Sequence, residues 1–106
     1  MDHEATYEEV LAKSMKERES REEWEEQQSI REFSSTLIRA RLAAGISQAE
    51  LARRIGVRQP MIARLEAGMQ TPKIDTLVRL AKALGVDFTI TAGDTIKAAP
   101  HKAEAA

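Results

Sequence analysis

The stretch that decides the fold runs from Gly45 to Gly68 and reads G-I-S-Q-A-E-L-A-R-R-I-G-V-R-Q-P-M-I-A-R-L-E-A-G. Ser47, followed three residues later by Glu50, has the form of a capping box, which predicts the start of a helix. Gly56 can adopt the left-handed conformation that ends this helix after about two turns. Apolar residues at helical spacing on both sides of Gly56 predict two short helices joined by a tight turn.

The segments on either side extend this pair into a bundle. A helix over about 30–44 precedes it and a helix over about 74–84 follows it, each with an apolar stripe and a glycine after its end. The expected core residues are Phe33, Leu37, Ala40, Ala44, Leu51, Ala52, Ile55, Val57, Ile62, Leu65, Leu77, Leu80, Ala81 and Leu84. The sequence therefore predicts an all-α fold.

An N-terminal arm over residues 1–29 precedes the bundle. Thr6 and Glu9 form another capping-box pattern, so we expect a helix to begin there. Its first three turns carry one narrow apolar stripe, and the rest of the arm is almost entirely polar.

Residues 87–92 after the bundle alternate apolar and polar side chains, which is the period of a β-strand. A single strand in an otherwise helical chain has no partner, so we expect it to pair with the same strand of a second copy through Phe88 and Ile90. The Ala-rich tail over 93–106 is expected to be disordered.

The formal net charge of -1 hides an uneven distribution. Residues 1–32 hold 5 Lys or Arg and 11 Asp or Glu, a net charge of -6, whereas residues 33–86 hold 9 and 3, a net charge of +6. A basic block beside an acidic one suggests that the bundle faces a polyanion and that the arm faces something else.

Composition argues against several function classes. The chain has no cysteine, and both histidines, His3 and His101, lie close to an end of it, so no metal, cofactor or catalytic role is expected. No cluster of catalytic residue types occupies a plausible pocket, and we expect no enzyme. Without a spanning apolar run or a signal peptide, the protein is expected to be cytoplasmic, with no membrane partner.

The quoted stretch and the following T-P-K-I-D-T-L-V-R-L-A-K-A-L-G-V resemble the helix-turn-helix of the Cro and cI repressor superfamily, also called the XRE family. The resemblance covers about 37–86, half of the chain. It implies a lambda-repressor-like bundle of four to five helices over residues 30–86. It also implies that the third helix begins near Gln59 and enters the major groove of double-stranded operator DNA.

The resemblance further implies roles for individual residues. Gln48 falls where the family holds a phosphate, and Arg41 and Glu66 match a pair that forms an internal ion pair in related repressors. The face that meets base edges is formed by Gln59, Pro60, Ala63 and Arg64.

Side-chain chemistry agrees with these roles, because Arg can bind guanine, Gln can bind adenine, and an apolar group can contact a thymine methyl. Gln59 and Arg64 are therefore candidate readers of bases, and Pro60 or Ala63 is a candidate for methyl contact. The candidates for neutralising phosphates are Arg58, Lys73 and either Arg53 or Arg54. A lone surface arginine is more often a solvated charge, but the group as a whole favours DNA binding.

The first turn of the third helix departs from the family pattern. Arg58 stands where the family usually has a small capping residue, so a weaker cap is expected. Pro60 falls in the first helical turn, where no intrahelical N–H bond is lost.

The order of segments is also similar to that of HigA-like antitoxins of type II toxin-antitoxin pairs, with E-F-x-x-x-L-I-x-A-R-x-x-A-G-I-S-Q-x-E-L-A following the arm. Such antitoxins neutralise a basic mRNA endoribonuclease of the RelE superfamily and, as dimers, repress their own operon. The resemblance implies a small basic toxin as partner of the arm, with a homodimer on DNA. The candidate toxin anchors are Tyr7, Val10, Leu11, Met15 and Trp24.

Other functions stay open. The apolar stripe of the arm can instead pack on the bundle, and a stand-alone repressor of phage or restriction-control type would use the same bundle without a toxin. A neighbouring reading frame for a small basic protein would favour the antitoxin. An adaptor that does not bind DNA is disfavoured by Arg58, Gln59 and Arg64.

Overall fold

The computed structural model describes residues 6–93 and 95–102, except for the side chains of residues 13–26. The elements are α1 (Tyr7–Ala43), α2 (Gln48–Ile55), α3 (Gln59–Glu66), α4 (Ile74–Leu84), β1 (Val86–Ile90) and β2 (Ile96–Pro100). This part of the chain is mostly helical, with one small antiparallel sheet. None of its helices is both long and apolar enough to cross a membrane.

The first helix, α1, is uninterrupted over 37 residues. Thr6 caps it by accepting a hydrogen bond from the backbone N–H of Glu9 at 3.1 Å, as the sequence predicts. Residues 7–43 contain neither glycine nor proline, so nothing breaks the hydrogen-bond ladder at the boundary expected after residue 29. The arm and the first helix of the bundle are one element, about 55 Å long at 1.5 Å per residue.

The turn between α2 and α3 depends on Gly56. Its φ of 75° lies in the left-handed region, where a side chain would be strained. The turn lets the backbone N–H of Val57 donate to the carbonyl of Ala52 at 3.0 Å, which satisfies one of the last carbonyls of α2. Val57 then packs against the core directly after the turn.

The core contains residues from all four helices, and its composition confirms most of the sequence-based prediction. The buried apolar residues are Phe33, Leu37, Ala40, Leu51, Ala52, Ile55, Ile62, Leu65, Leu80 and Leu84. Leu77 and Ala81 are half-buried. Ala44 is exposed instead of buried, because α1 ends at Ala43 and the chain turns away at that point.

The C-terminal residues form a β-hairpin, so the prediction of an unpaired strand followed by a disordered tail is wrong for the described residues. The two strands pair antiparallel, with Phe88 opposite Ala98. Thr36 of α1 donates its hydroxyl to the carbonyl of Ile96 at 2.6 Å. Ile96 and Ala98 also pack against the core. These contacts fix a segment whose composition alone suggested disorder, while residues 103–106 lie outside the description.

The two residues expected at a dimer contact occupy different environments. The ring of Phe88 packs against Phe33 of the same chain, with ring centroids 5.8 Å apart, so its side chain serves the chain's own core. Ile90 at the end of β1 is 70% exposed.

Replacing Thr36 with Val should lower the free energy of unfolding by about 1–3 kcal/mol, because the carbonyl of Ile96 loses its buried hydroxyl donor. Urea unfolding measures the change. Thr36→Ser, which keeps the hydroxyl, is the matched control and should lose less stability. An equal loss in both variants would assign the effect to the methyl group instead.

Candidate nucleic-acid interface

The orientation of α3 follows from its apolar side. Ile62 and Leu65 are fully buried against the other helices, which turns the opposite side of the helix outward. The expected reading residues lie on this outward side. Gln59, Pro60 and Arg64 are exposed, and Ala63 is half-buried.

The N-terminus of α3 is formed by Arg58 and the two residues after it. Arg58 occupies the cap position with an extended backbone and makes no side-chain capping bond. Its side chain is exposed, so the guanidinium is accessible to a phosphate. Pro60 falls in the first turn, as the sequence predicts, at a position where a backbone N–H would have no intrahelical acceptor, so the proline removes no hydrogen bond from the helix.

Gln48, the first residue of α2, joins the starts of α2 and α3. Its side-chain amide oxygen, Oε1, accepts a hydrogen bond from Nε2 of Gln59 at 2.8 Å. Its own Nε2 donates to Oε1 of Glu66 at 3.2 Å. The side chain is half-buried and held from both sides, so a residue expected to grip phosphate is tied directly to one expected to read a base.

The ion pair between Arg41 and Glu66 lies beneath this contact. Arg41 donates from Nε to Oε2 of Glu66 at 2.7 Å and from Nη2 to Oε1 at 2.9 Å. Its Nη1 also donates to the carbonyl of Ile46 at 2.9 Å. The side chains of Arg41 and Glu66 are 13% and 5% exposed, and the hydrogen bond that Arg41 donates to Glu66 raises the pKa of Arg41. The pair therefore connects three segments, namely α1, α3 and the loop that precedes α2.

Glu50 of α2 carries a charge interaction that sequence reasoning missed. Its backbone N–H donates to the hydroxyl of Ser47 at 3.0 Å, so half of the expected capping box forms. Its carboxylate instead accepts from Arg53 and Arg54 at 2.6 to 3.0 Å, and these hydrogen bonds lower the pKa of Glu50 to about 2. The i,i+3 and i,i+4 spacings could have predicted this contact.

The contact with Glu50 changes the expected role of Arg53 and Arg54. Glu50 is ionised at neutral pH, so part of the charge on Arg53 and Arg54 is already compensated. They are therefore weaker candidates for phosphate contact than Arg58, whose side chain makes no capping bond and is exposed.

The far end of α3 and the start of α4 complete the surface. Arg64 donates from Nε to Oε1 of Gln70 at 3.3 Å, which restrains its guanidinium. Gln70 lies in the loop after α3, where no periodic pattern could have predicted the contact. Lys73 occupies the cap position of α4 and is exposed. No group of three His, Asp or Glu residues suited to a metal ion occurs among the described residues.

The N-terminal arm exposes the apolar residues that the sequence marks as anchors. Tyr7, Val10 and Leu11 are 81%, 52% and 46% exposed. Packing of these three residues on the bundle, which the sequence left open, therefore does not occur. Met15 and Trp24 lie outside the described side chains.

Two short helices joined by a Gly-closed turn, the second presenting polar and basic residues outward, define a helix-turn-helix DNA-binding domain. The helix-turn-helix family matches residues 37–90, slightly more than half of the chain. The chain therefore belongs to this family, in its XRE-type form.

Two relatives match about half of the chain. An uncharacterized HTH-type transcriptional regulator of Haemophilus influenzae is 46% identical over 54 residues, which are 51% of this chain and 55% of that protein. Antitoxin HigA1 of Mycobacterium tuberculosis is 40% identical over 60 residues, which are 57% of this chain and 40% of that protein. The match thus spans about half of these relatives or less. No solved structure matches significantly.

Replacing Glu66 with Ala should lower the free energy of unfolding by about 3 kcal/mol, because the nearly buried Arg41 would lose its counter-charge. Thermal or urea unfolding measures the loss. The free energy of DNA binding, assayed well below the melting temperature, should fall by less than the free energy of unfolding does. A normal melting temperature combined with lost DNA binding would contradict a structural role for the pair.

Proposed function

We propose that this protein binds a specific double-stranded DNA site through α3, in the manner of a lambda-repressor-like bundle. The observation that carries this proposal is the outward face of α3, which presents Gln59, Pro60 and Arg64 above a rigidly packed apolar side. Its polar groups can form hydrogen bonds to base edges, and Arg58 and Lys73 flank it as exposed cations for phosphates. Like other sequence-specific repressors, it would control the operon whose promoter carries its site.

We also propose that the arm neutralises a small basic toxin of the RelE and HigB kind, an mRNA endoribonuclease. Tyr7 and Leu11 lie four residues apart on one helix with Val10 between them, so they form one exposed apolar stripe. Residues 1–32 carry a net charge of -6, which complements a cationic partner. The relation to antitoxin HigA1 supports this function, which would operate in the cytoplasm.

Dimerisation belongs to the same proposal. At the two ends of the hairpin, the backbone N–H of Thr91 donates to the carbonyl of Thr95 at 3.0 Å, and that of His101 donates to the carbonyl of Gly85 at 2.9 Å. The pairs 91/95 and 85/101 are therefore hydrogen-bonded pairs. Because bonded pairs alternate in an antiparallel ladder, the backbone groups of Phe88 point away from β2. Phe88 lies at the centre of β1, so two copies could pair their β1 edges about a two-fold axis at this residue.

A stand-alone transcriptional repressor is the second candidate function. The Haemophilus influenzae relative, named as a transcriptional regulator, favours it. Both functions use the same DNA-binding surface and differ in the role of the arm. A reading frame for a small basic protein beside the gene would favour the antitoxin.

Replacing Arg64 with Ala should weaken binding to the preferred DNA site by about 1–3 kcal/mol and relax the preference at one base position. The site is first selected from a random duplex pool with the wild-type chain, and electrophoretic shift assays then compare single-base variants of it. Arg39→Ala, an exposed arginine on α1, is the matched control for loss of one positive charge. Unchanged affinity and base preference in Arg64→Ala would refute the role of Arg64.

Replacing Leu11 with Asp should abolish toxin neutralisation and leave DNA binding intact, because a charge would interrupt the exposed stripe. Growth rescue during co-expression with the RelE- or HigB-like toxin of the same operon measures neutralisation. Ala12→Asp adds the same charge about 100° around the helix and should still rescue growth. Rescue by Leu11→Asp as well would leave the stand-alone repressor as the better description.

A further inference from the structure

A continuous chain of hydrogen bonds runs from the nearly buried ion pair to the reading face of α3. Arg41 donates to both oxygens of Glu66, and Oε1 of Glu66 also accepts from Gln48 at 3.2 Å. Gln48 in turn accepts from Gln59 at 2.8 Å. The first two members are fixed by packing and charge, whereas the last is exposed where DNA would lie.

The direction of this chain is dictated by chemistry. An ionised carboxylate can accept hydrogen bonds but cannot donate them, so Gln48 must turn its NH2 group toward Glu66. The carbonyl oxygen of Gln48 then faces Gln59, which must turn its own NH2 group inward. Each amide in the series therefore has one favourable orientation, and the choice is made at Glu66.

The consequence appears at the outer edge of Gln59. Its Nε2 uses one hydrogen for Gln48, which leaves the second hydrogen and the carbonyl oxygen for another partner. That oxygen accepts no hydrogen bond from the part of the chain that the structure describes. Adenine offers the matching edge in the major groove, with an N6 donor and an N7 acceptor, whereas guanine offers two acceptors.

We infer that Glu66 is a positioning residue for base readout, which sets the preference of Gln59 without touching DNA itself. The inference rests on the proposed DNA binding through α3. It assigns Glu66 a second role beside its contribution to stability, since a carboxylate at this position excludes the reversed orientation of both glutamines. A neutral amide at position 66 has a donor and an acceptor, so it would accept either orientation.

The test separates orientation from stability with two variants of the same ion pair. Glu66→Gln removes the acceptor-only group, whereas Arg41→Lys weakens the pair but keeps the carboxylate facing Gln48. Single-base variants of the duplex site selected by the wild type serve as probes, at a temperature where both variants are folded. We expect the preference for adenine at one position to fall about tenfold in Glu66→Gln and to stay within about twofold in Arg41→Lys.

Two results would overturn the inference. One is an unchanged base preference in Glu66→Gln, and the other is an equal loss in Arg41→Lys, which would indicate a structural effect alone. Adding Gln48→Glu to Glu66→Gln provides a rescue, because an acceptor-only group again faces Gln59. The double variant should regain the adenine preference even if the added negative charge lowers total affinity.

A DNA-independent measurement keeps this inference distinct from the proposed function. Side-chain amide NMR of the free wild-type chain should show the NH2 protons of Gln59 close to Gln48 and slow to exchange. Glu66→Gln should lose both features, while Arg41→Lys should keep them. If the wild type selected no DNA site, the proposed function would fail, yet freely rotating amides in the wild type would separately overturn the orientation.

Discussion

The nearly buried ion pair between Arg41 and Glu66 is the contact on which the arrangement of the first three helices depends. Arg41 binds both carboxylate oxygens and the carbonyl of Ile46, so one guanidinium joins α1, the loop before α2 and α3. A buried pair of this kind is seldom more stabilising than an apolar contact of the same volume. Its particular contribution is directional, because two parallel bonds fix an orientation that apolar packing leaves adjustable.

The parts of the fold that the sequence predicts are those with local signals. Ser47 and Gly56 mark the start and the end of α2, and the apolar period of α3 identifies its buried side. The Arg41–Glu66 contact joins residues 25 apart, and no spacing rule could have paired them. It could be expected only from the resemblance to related repressors.

The features that the sequence did not predict depend on contacts between distant segments or on competition between partners. The order of β2 rests on Thr36 and the core, and the bond from Thr36 to Ile96 joins residues 60 apart. Composition alone could not indicate that an Ala-rich tail would be held in this way. The spacing of Glu50 from Arg53 and Arg54 is a recognisable local pattern. Capping of α2 and pairing with arginine require the same carboxylate, however, and in the structure the carboxylate binds the two arginines.

The continuity of α1 gives the arm and the bundle a fixed relation along one axis. Along the helix, the acidic residues between positions 8 and 26 lie about 38 Å to about 10 Å from Phe33, at 1.5 Å per residue. Salt at physiological strength screens exposed charges over about 8 Å, so most of the arm's negative charge acts little on groups near Phe33. A flexible linker would let the acidic arm fold back over the basic surface and compete with DNA. The continuous helix prevents this, because glycine and proline, the residues that would bend it, are absent between Tyr7 and Ala43.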